Sequence, residues 1–251
     1  LIMTAYPKST QTLLDKATTL SGAGFDIVYD YNLPISSSVK IAGREGREQH
    51  EIVLRLPSDE NNYLIAWQAA FVLHQFQMPE TERANLKPEP AALAPVKKEL
   101  LDMHPQIPIS QRENFSEHVI GGVLTQLRSM PVGMLIDIAL HREYAELHAT
   151  QRQSLINQVV EHIGCLQMTP DMFPRTLLRA NQVMNAAQAL MVANLFEMPD
   201  IFAPYQTVGM EAAATLLLDA CMNQIFDETL DRELIDIWGR ALGIEAWYRW
   251  A

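Results

Sequence analysis

Tyr63-Leu64-Ile65-Ala66-Trp67-Gln68-Ala69-Ala70-Phe71-Val72-Leu73-His74-Gln75-Phe76 contains no Asp, Glu, Lys or Arg. It also has no Gly or Pro, and it is apolar nearly all round, which predicts a buried, central helix. Pro57-Ser58-Asp59-Glu60 supplies its start, with Ser58 as cap and acids in the first turn, and the helix should run to about Gln77. Upstream, Leu13, Leu14, Ala17 and Leu20 line one face of a first helix capped by Ser9, which Gly22 and Gly24 stop. Phe25 to Tyr31 alternates as a half-buried strand that Pro34 breaks, and Val39–Ala42 and Glu51–Leu56 read as two more strands joined by Gly43-Arg44-Glu45-Gly46-Arg47. The expected arrangement is a three-stranded antiparallel sheet with the Trp67 helix packed on it.

The remainder divides at a Pro-rich stretch. Prolines at 79, 88, 90, 95, 105 and 108 mark residues 79–111 as a linker with one short helix. Beyond it no strand is evident, and helices are expected at about 112–129, 132–148, 150–165, 173–197, 205–226 and 229–242, without a repeat. The fold class is therefore α+β: a sheet-and-helix unit over 1–78, a linker over 79–111, and a larger all-helical domain over 112–251.

Composition excludes several classes. With 251 residues, 48% of them hydrophobic, the chain can bury a substantial core, and a net charge of -11 without a Lys/Arg cluster speaks against nucleic acid as partner. Cys165 and Cys221 are far apart and in no Cys-x-x-Cys pair, which fits a reducing cytoplasm and no structural zinc. No uninterrupted apolar run reaches a membrane span, and Leu1-Ile2-Met3-Thr4 lacks the pattern of a leader; a first residue other than Met fits a piece of a longer chain.

The order helix, strand, strand, strand, helix, with Leu64-Ile65-Ala66 just before the decisive turn, resembles ImmA/IrrE-type zinc metallopeptidases. The resemblance spans residues 9–77. It implies a zincin-like core whose helix carries His-Glu-x-x-His, and on that pattern Trp67 and Phe71 stand at the two zinc ligands and Gln68 at the general base. The chemistry needs two imidazoles one turn apart and a carboxylate that takes a proton from bound water. Trp and Phe offer zinc no lone pair, and Gln cannot take that proton. The resemblance thus implies a pseudopeptidase without metal or other cofactor, acting as a protein-binding or regulatory module, and a link to bacterial or phage regulation. The same residues equally fit an ordinary α+β core that never bound metal. His74, seven residues after Trp67, lies about 10.5 Å further along the same face and suits the helix C-terminus better than a metal.

A second set of residues offers an alternative. Asp137, His141, Tyr144 and His148 share one face if their helix is unbroken, and Asp137 with His141 would form an acid–imidazole pair or part of a relocated metal site of a hydrolase, with Glu143 or His118 as further ligands. Thr150-Gln151-Arg152-Gln153 fits a capping box that would turn His148 away, leaving a solvated face. Asn181, Asn185 and Gln188 form an amide stripe on a helix that is otherwise apolar, and are expected to face the Asp137/His141 stripe as a polar groove or a structural network. Trp238, Trp247, Tyr248 and Trp250 predict a C-terminal tail folded back on the core or anchoring an interface, as in a structural subunit of an assembly. Gly121-Gly122 lacks the Lys and Ser/Thr of a phosphate loop, and Gly122 is expected to permit close helix packing.

Overall fold

In the structure, a computed structural model, residues 6–83, 85–226 and 230–251 are described, Glu45 by its backbone alone. The expectations for Leu1–Thr4 and for a helix start at 229 lie outside these residues. The chain divides into two units that are not contiguous in sequence. Unit 1 joins residues 1–83 to 136–155 and 226–228, and unit 2 comprises 84–135, 156–225 and 229–251.

Unit 1 is built on the uncharged stretch. It forms helix α2 (Asn61–Gln77), preceded in the chain by α1 (Lys8–Ser21), β1 (Phe25–Tyr29), β2 (Ser37–Lys40) and β3 (His50–Leu54). Eleven of the 17 residues of α2 are buried, as its composition demands, and it packs on α1, β2 and β3. The caps differ from expectation. α1 starts after Pro7, and Ser9 instead donates from its N–H and Oγ to Glu146 Oε2 at 2.9 and 2.8 Å. Ser58 Oγ donates to Asn61 Oδ1 at 2.9 Å, no side chain caps α2, and no acid lies in its first turn. Gly22 does end α1, at φ 74°.

The sheet is mixed, not wholly antiparallel. Its order is β1-β3-β2, with β1 parallel to β3 from Phe25↔His50 to Tyr29↔Leu54 and β2 antiparallel to β3 from Ser37↔Leu54 to Lys40↔Glu51. The physical reason is burial. β3 carries Ile52, Val53 and Leu54, all buried, and takes the centre, whereas the polar Ser37-Ser38-Val39-Lys40 suits an edge. His50, the first residue of β3, is buried and accepts from the Ala42 N–H at 3.0 Å, and burial lowers its pKa.

Unit 2 is mostly helical. The segment expected as a linker holds β4 (Leu86–Pro88) and the 14-residue α3 (Pro90–Met103). The two helices expected at 112–129 and 132–148 are one, α4 (Ile109–Glu143), with Pro131 inside it, and the boundary between the units falls within it. Pro131 costs one helical hydrogen bond, but Leu127, Val132 and Leu135 around it are buried and hold the helix together. α4 is long and apolar enough to cross a membrane by length and composition, with mean hydropathy 1.4 over its most apolar stretch, half of which is buried in the fold. α5 (His148–His162) and α6 (Arg175–Leu195) follow, and Gly209 at φ 76° splits the helix expected at 205–226 into α7 (Ala203–Thr207) and α8 (Glu211–Met222). After α9 (Asp231–Leu242) the aromatic tail forms β5 (Tyr248–Trp250), antiparallel to β4, a strand the sequence did not predict. α6 packs on α8 at the centre of this unit. A Cβ at Gly122 would meet nothing within 4 Å, so that glycine is not a close-packing device.

Candidate functional site

Trp67 and Phe71 lie one turn apart on α2, and their rings stack with centroids 5.9 Å apart and planes 6° from parallel. Gln68 is buried and donates through Nε2 to Ser37 Oγ of β2 at 2.9 Å. Tyr63, one turn before Trp67, donates through its hydroxyl to Asp137 Oδ1 at 2.5 Å, and the Trp67 side chain also hydrogen-bonds this carboxyl. The indole N–H is a donor only, so Trp67 supplies a polar contact as well as volume.

Asp137 is buried, and burial pushes its carboxyl up to about 7 against the opposing pull of the Tyr63 and Trp67 hydrogen bonds. Tyr63 is raised well above its ordinary value, first by burial and then by the Asp137 charge. Gln151 Nε2 donates to the Asp137 carbonyl at 2.8 Å and ties α5 to the end of α4.

The predicted stripe does not continue along one helix. α4 ends at Glu143, Tyr144 leaves helical geometry at φ -128° and ψ 73°, and a short 3-10 turn leads into α5 at His148. The chain nonetheless brings His148 back: its ring stacks on His141 at 4.1 Å and 11°, and His148 Nε2 lies 2.7 Å from the His141 carbonyl. The expected capping box does not turn it away, because Thr150 Oγ1 donates to the Leu147 carbonyl at 3.1 Å. Burial, followed by the His148 charge, lowers the His141 pKa. Tyr144 accepts from Lys16 Nζ at 3.3 Å, and Glu143 and His118 are exposed.

Asn181, Asn185 and Gln188 belong to unit 2 and Asp137, His141 and Tyr144 to unit 1. The partners of the amide stripe lie in its own unit. Asn181 Nδ2 donates to Gln126 Oε1 and Gln126 Nε2 to Asn185 Oδ1, both at 2.9 Å, while Gln188 bonds Gln158 at 3.0 Å and the His162 ring at 3.1 Å. His74 is buried, with its ring 5.0 Å from that of Phe226. Among the described residues no group of three His, Cys, Asp or Glu comes together as a metal site would require.

Sequence reasoning missed Tyr63, Gln126, Gln151, Gln158 and His162. Tyr63 was accessible in principle, because Tyr63, Trp67 and Phe71 recur every four residues and two of them carry a polar hydrogen. The amide partners sit tens of residues away and leave no local signal. Comparison with known protein families, with curated proteins and with solved structures gives no match.

Proposed function

We propose that this chain is a catalytically silent, zincin-like protein of the ImmA/IrrE type that works by binding another protein in the cytoplasm. The observation that carries the reading is the state of the positions at which such a peptidase holds zinc. A stacked indole and phenyl ring stand at 67 and 71, a buried amide held by Ser37 stands at 68, and the Asp137 carboxyl hydrogen-bonds the side chain at 67. Two histidines plus a carboxylate make a catalytic zinc site. On this reading the two imidazoles are absent from 67 and 71, and the carboxyl beside position 67 is engaged in hydrogen bonds with Tyr63 and Trp67.

A protein partner is supported by the sheet. The register places the end of β1, the end of β3 and the start of β2 together. Tyr29, Tyr31, Ile35 and Leu56, at or just beyond that end, are all exposed, with Tyr31 at 72%. Grouped apolar side chains on a surface are the usual mark of an interaction site.

Elemental analysis of untagged protein tests the first claim. The parent chain should carry no stoichiometric zinc and cleave no peptide, whereas Trp67→His, Gln68→Glu and Phe71→His combined should gain zinc binding. Stoichiometric zinc in the parent overturns the silent reading, and a folded triple variant without zinc overturns the zincin-like one. Co-purification from the native source, with Tyr31→Glu plus Leu56→Glu as control, tests the partner.

A further inference from the structure

We propose that unit 1 contains a binding site for a small amphiphile with a positively charged head, of the alkylammonium class, in a cavity between α1, α2 and the end of α4. The inference is independent of the zincin-like reading, since Trp67, Gln68 and Phe71 take no part in it. The cavity measures about 610 Å³, within the roughly 300–1,000 Å³ of small-molecule sites.

Its lining has two parts. Leu13, Ala70, Leu73, Ile136 and Leu140 give an apolar floor, and Asp15, Lys16, Glu143 and Tyr144 lie where the side chains reach solvent. These five side chains accept an alkyl chain, with Thr12 and Gln77 as further lining residues. Among the described residues of the mouth there are two carboxylates, Asp15 and Glu143, and one ammonium, Lys16, and Asp15 Oδ1 accepts from Gln11 Nε2 at 2.8 Å. Lys16 Nζ donates to the Tyr144 hydroxyl at 3.3 Å and lies 6.0 Å from the centroid of that ring, which holds its ammonium beside Tyr144. An incoming carboxylate would meet Asp15 and Glu143. An incoming ammonium meets the opposite charges of Asp15 and Glu143, while Lys16 already lies over the Tyr144 ring. The chain's net charge of -11 favours its approach.

Calorimetric titration of the full chain with octyltrimethylammonium, octanoate and octyl glucoside tests this. One saturable site for the cation is expected, with octanoate binding at least about tenfold more weakly. Asp15→Asn combined with Glu143→Gln should weaken the cation about tenfold. Ala139→Trp, which fills the cavity while leaving its charges, should abolish binding. Thr19→Trp, at an exposed position of α1, obstructs the same space and decides the matter should Ala139→Trp fail to fold. Absence of saturable heat with the cation, octanoate binding as tight as the cation, or unchanged affinity in a folded Trp variant would each overturn the proposal.

Discussion

Burial holds the Asp137 carboxyl near 7, against an ordinary value of 3.8, so the fold prefers its neutral form. Stability from this group is complete below the unfolded value and is lost as pH rises through the folded one. At about 1.36 kcal/mol per unit, the interval corresponds to about 4 kcal/mol between about pH 4 and pH 8. Asp137→Asn keeps an oxygen acceptor for Tyr63 and removes the charge. Relative to the parent, the variant should gain a few kcal/mol across that window in chemical denaturation, because only the parent must bury a carboxylate at the upper end. A difference that does not change with pH would mean that the carboxyl titrates as an exposed one. His141 acts in the opposite sense, its lowered pKa withdrawing stability as pH falls, but it is common to both proteins and cancels. Asp137 was legible as a candidate from its spacing to His141, yet the side chains that hydrogen-bond its carboxyl are Tyr63 and Trp67, 74 and 70 positions earlier in the chain. Trp67 lies in a stretch that is apolar nearly all round, and such a pattern does not show that its N–H has an acceptor.

At the level of elements, helices were legible where apolar residues recur, and so were the C-terminal ends of α1, α2 and α9, whereas the course of the chain at Pro131 and Gly209 was not. Pro131 does not break α4 because burial on either side outweighs one lost hydrogen bond, while Gly209 does break α7 from α8 because the chain there takes a positive φ. The β4–β5 pair was hidden altogether. Each strand is three residues long, and the two are separated by most of the chain, so neither alternation nor a turn announces them. What holds β5 is a convergence of side chains: Tyr248 Oη and Trp250 Nε1 both donate to Asp236 Oδ1 at 2.9 Å, and Asn85 and Ala251 exchange backbone hydrogen bonds at 2.9 and 3.0 Å. Asp236→Ala leaves two partly buried donors without their acceptor and should cost about 1–3 kcal/mol in thermal or denaturant unfolding. Gly239→Ala reaches the same lock from α9, because its Cβ would press on the Tyr248 hydroxyl and lie 3.1 Å from two ring carbons. It should cost a similar amount, about 1–3 kcal/mol. Both changes act through Tyr248, so the double variant should lose less than the sum of the two. Full additivity would show that Asp236 and Gly239 contribute separately.

Over the whole molecule, sequence reading divides a chain into contiguous blocks because periodicity and turn signals are local. Here residues 136–155 group with residues 1–83 rather than with their neighbours. Their own apolar pattern gave no hint of this, since a buried face does not state what it is buried against. The grouping has a consequence for what can fold. Residues 136–155 provide unit 1 with Ile136, Ile138, Leu140, Leu147 and Leu155, all buried, with the carboxyl that satisfies the Tyr63 hydroxyl, and with Glu146 for Ser9. A fragment of residues 1–83 would leave that hydroxyl without its acceptor and expose the apolar face of α2, in a chain already short for an independent core. It should therefore show no cooperative unfolding transition and weak hydrogen-exchange protection of the β3 amides. The same residues joined through a flexible Gly/Ser linker to 136–155 should recover both properties in part, because the added segment restores the missing contacts without unit 2. If residues 1–83 alone protected β3 as well as the full chain does, then α2 and the sheet would be self-sufficient, and the contribution of the α4 end to this unit would be confined to the surroundings of Asp137.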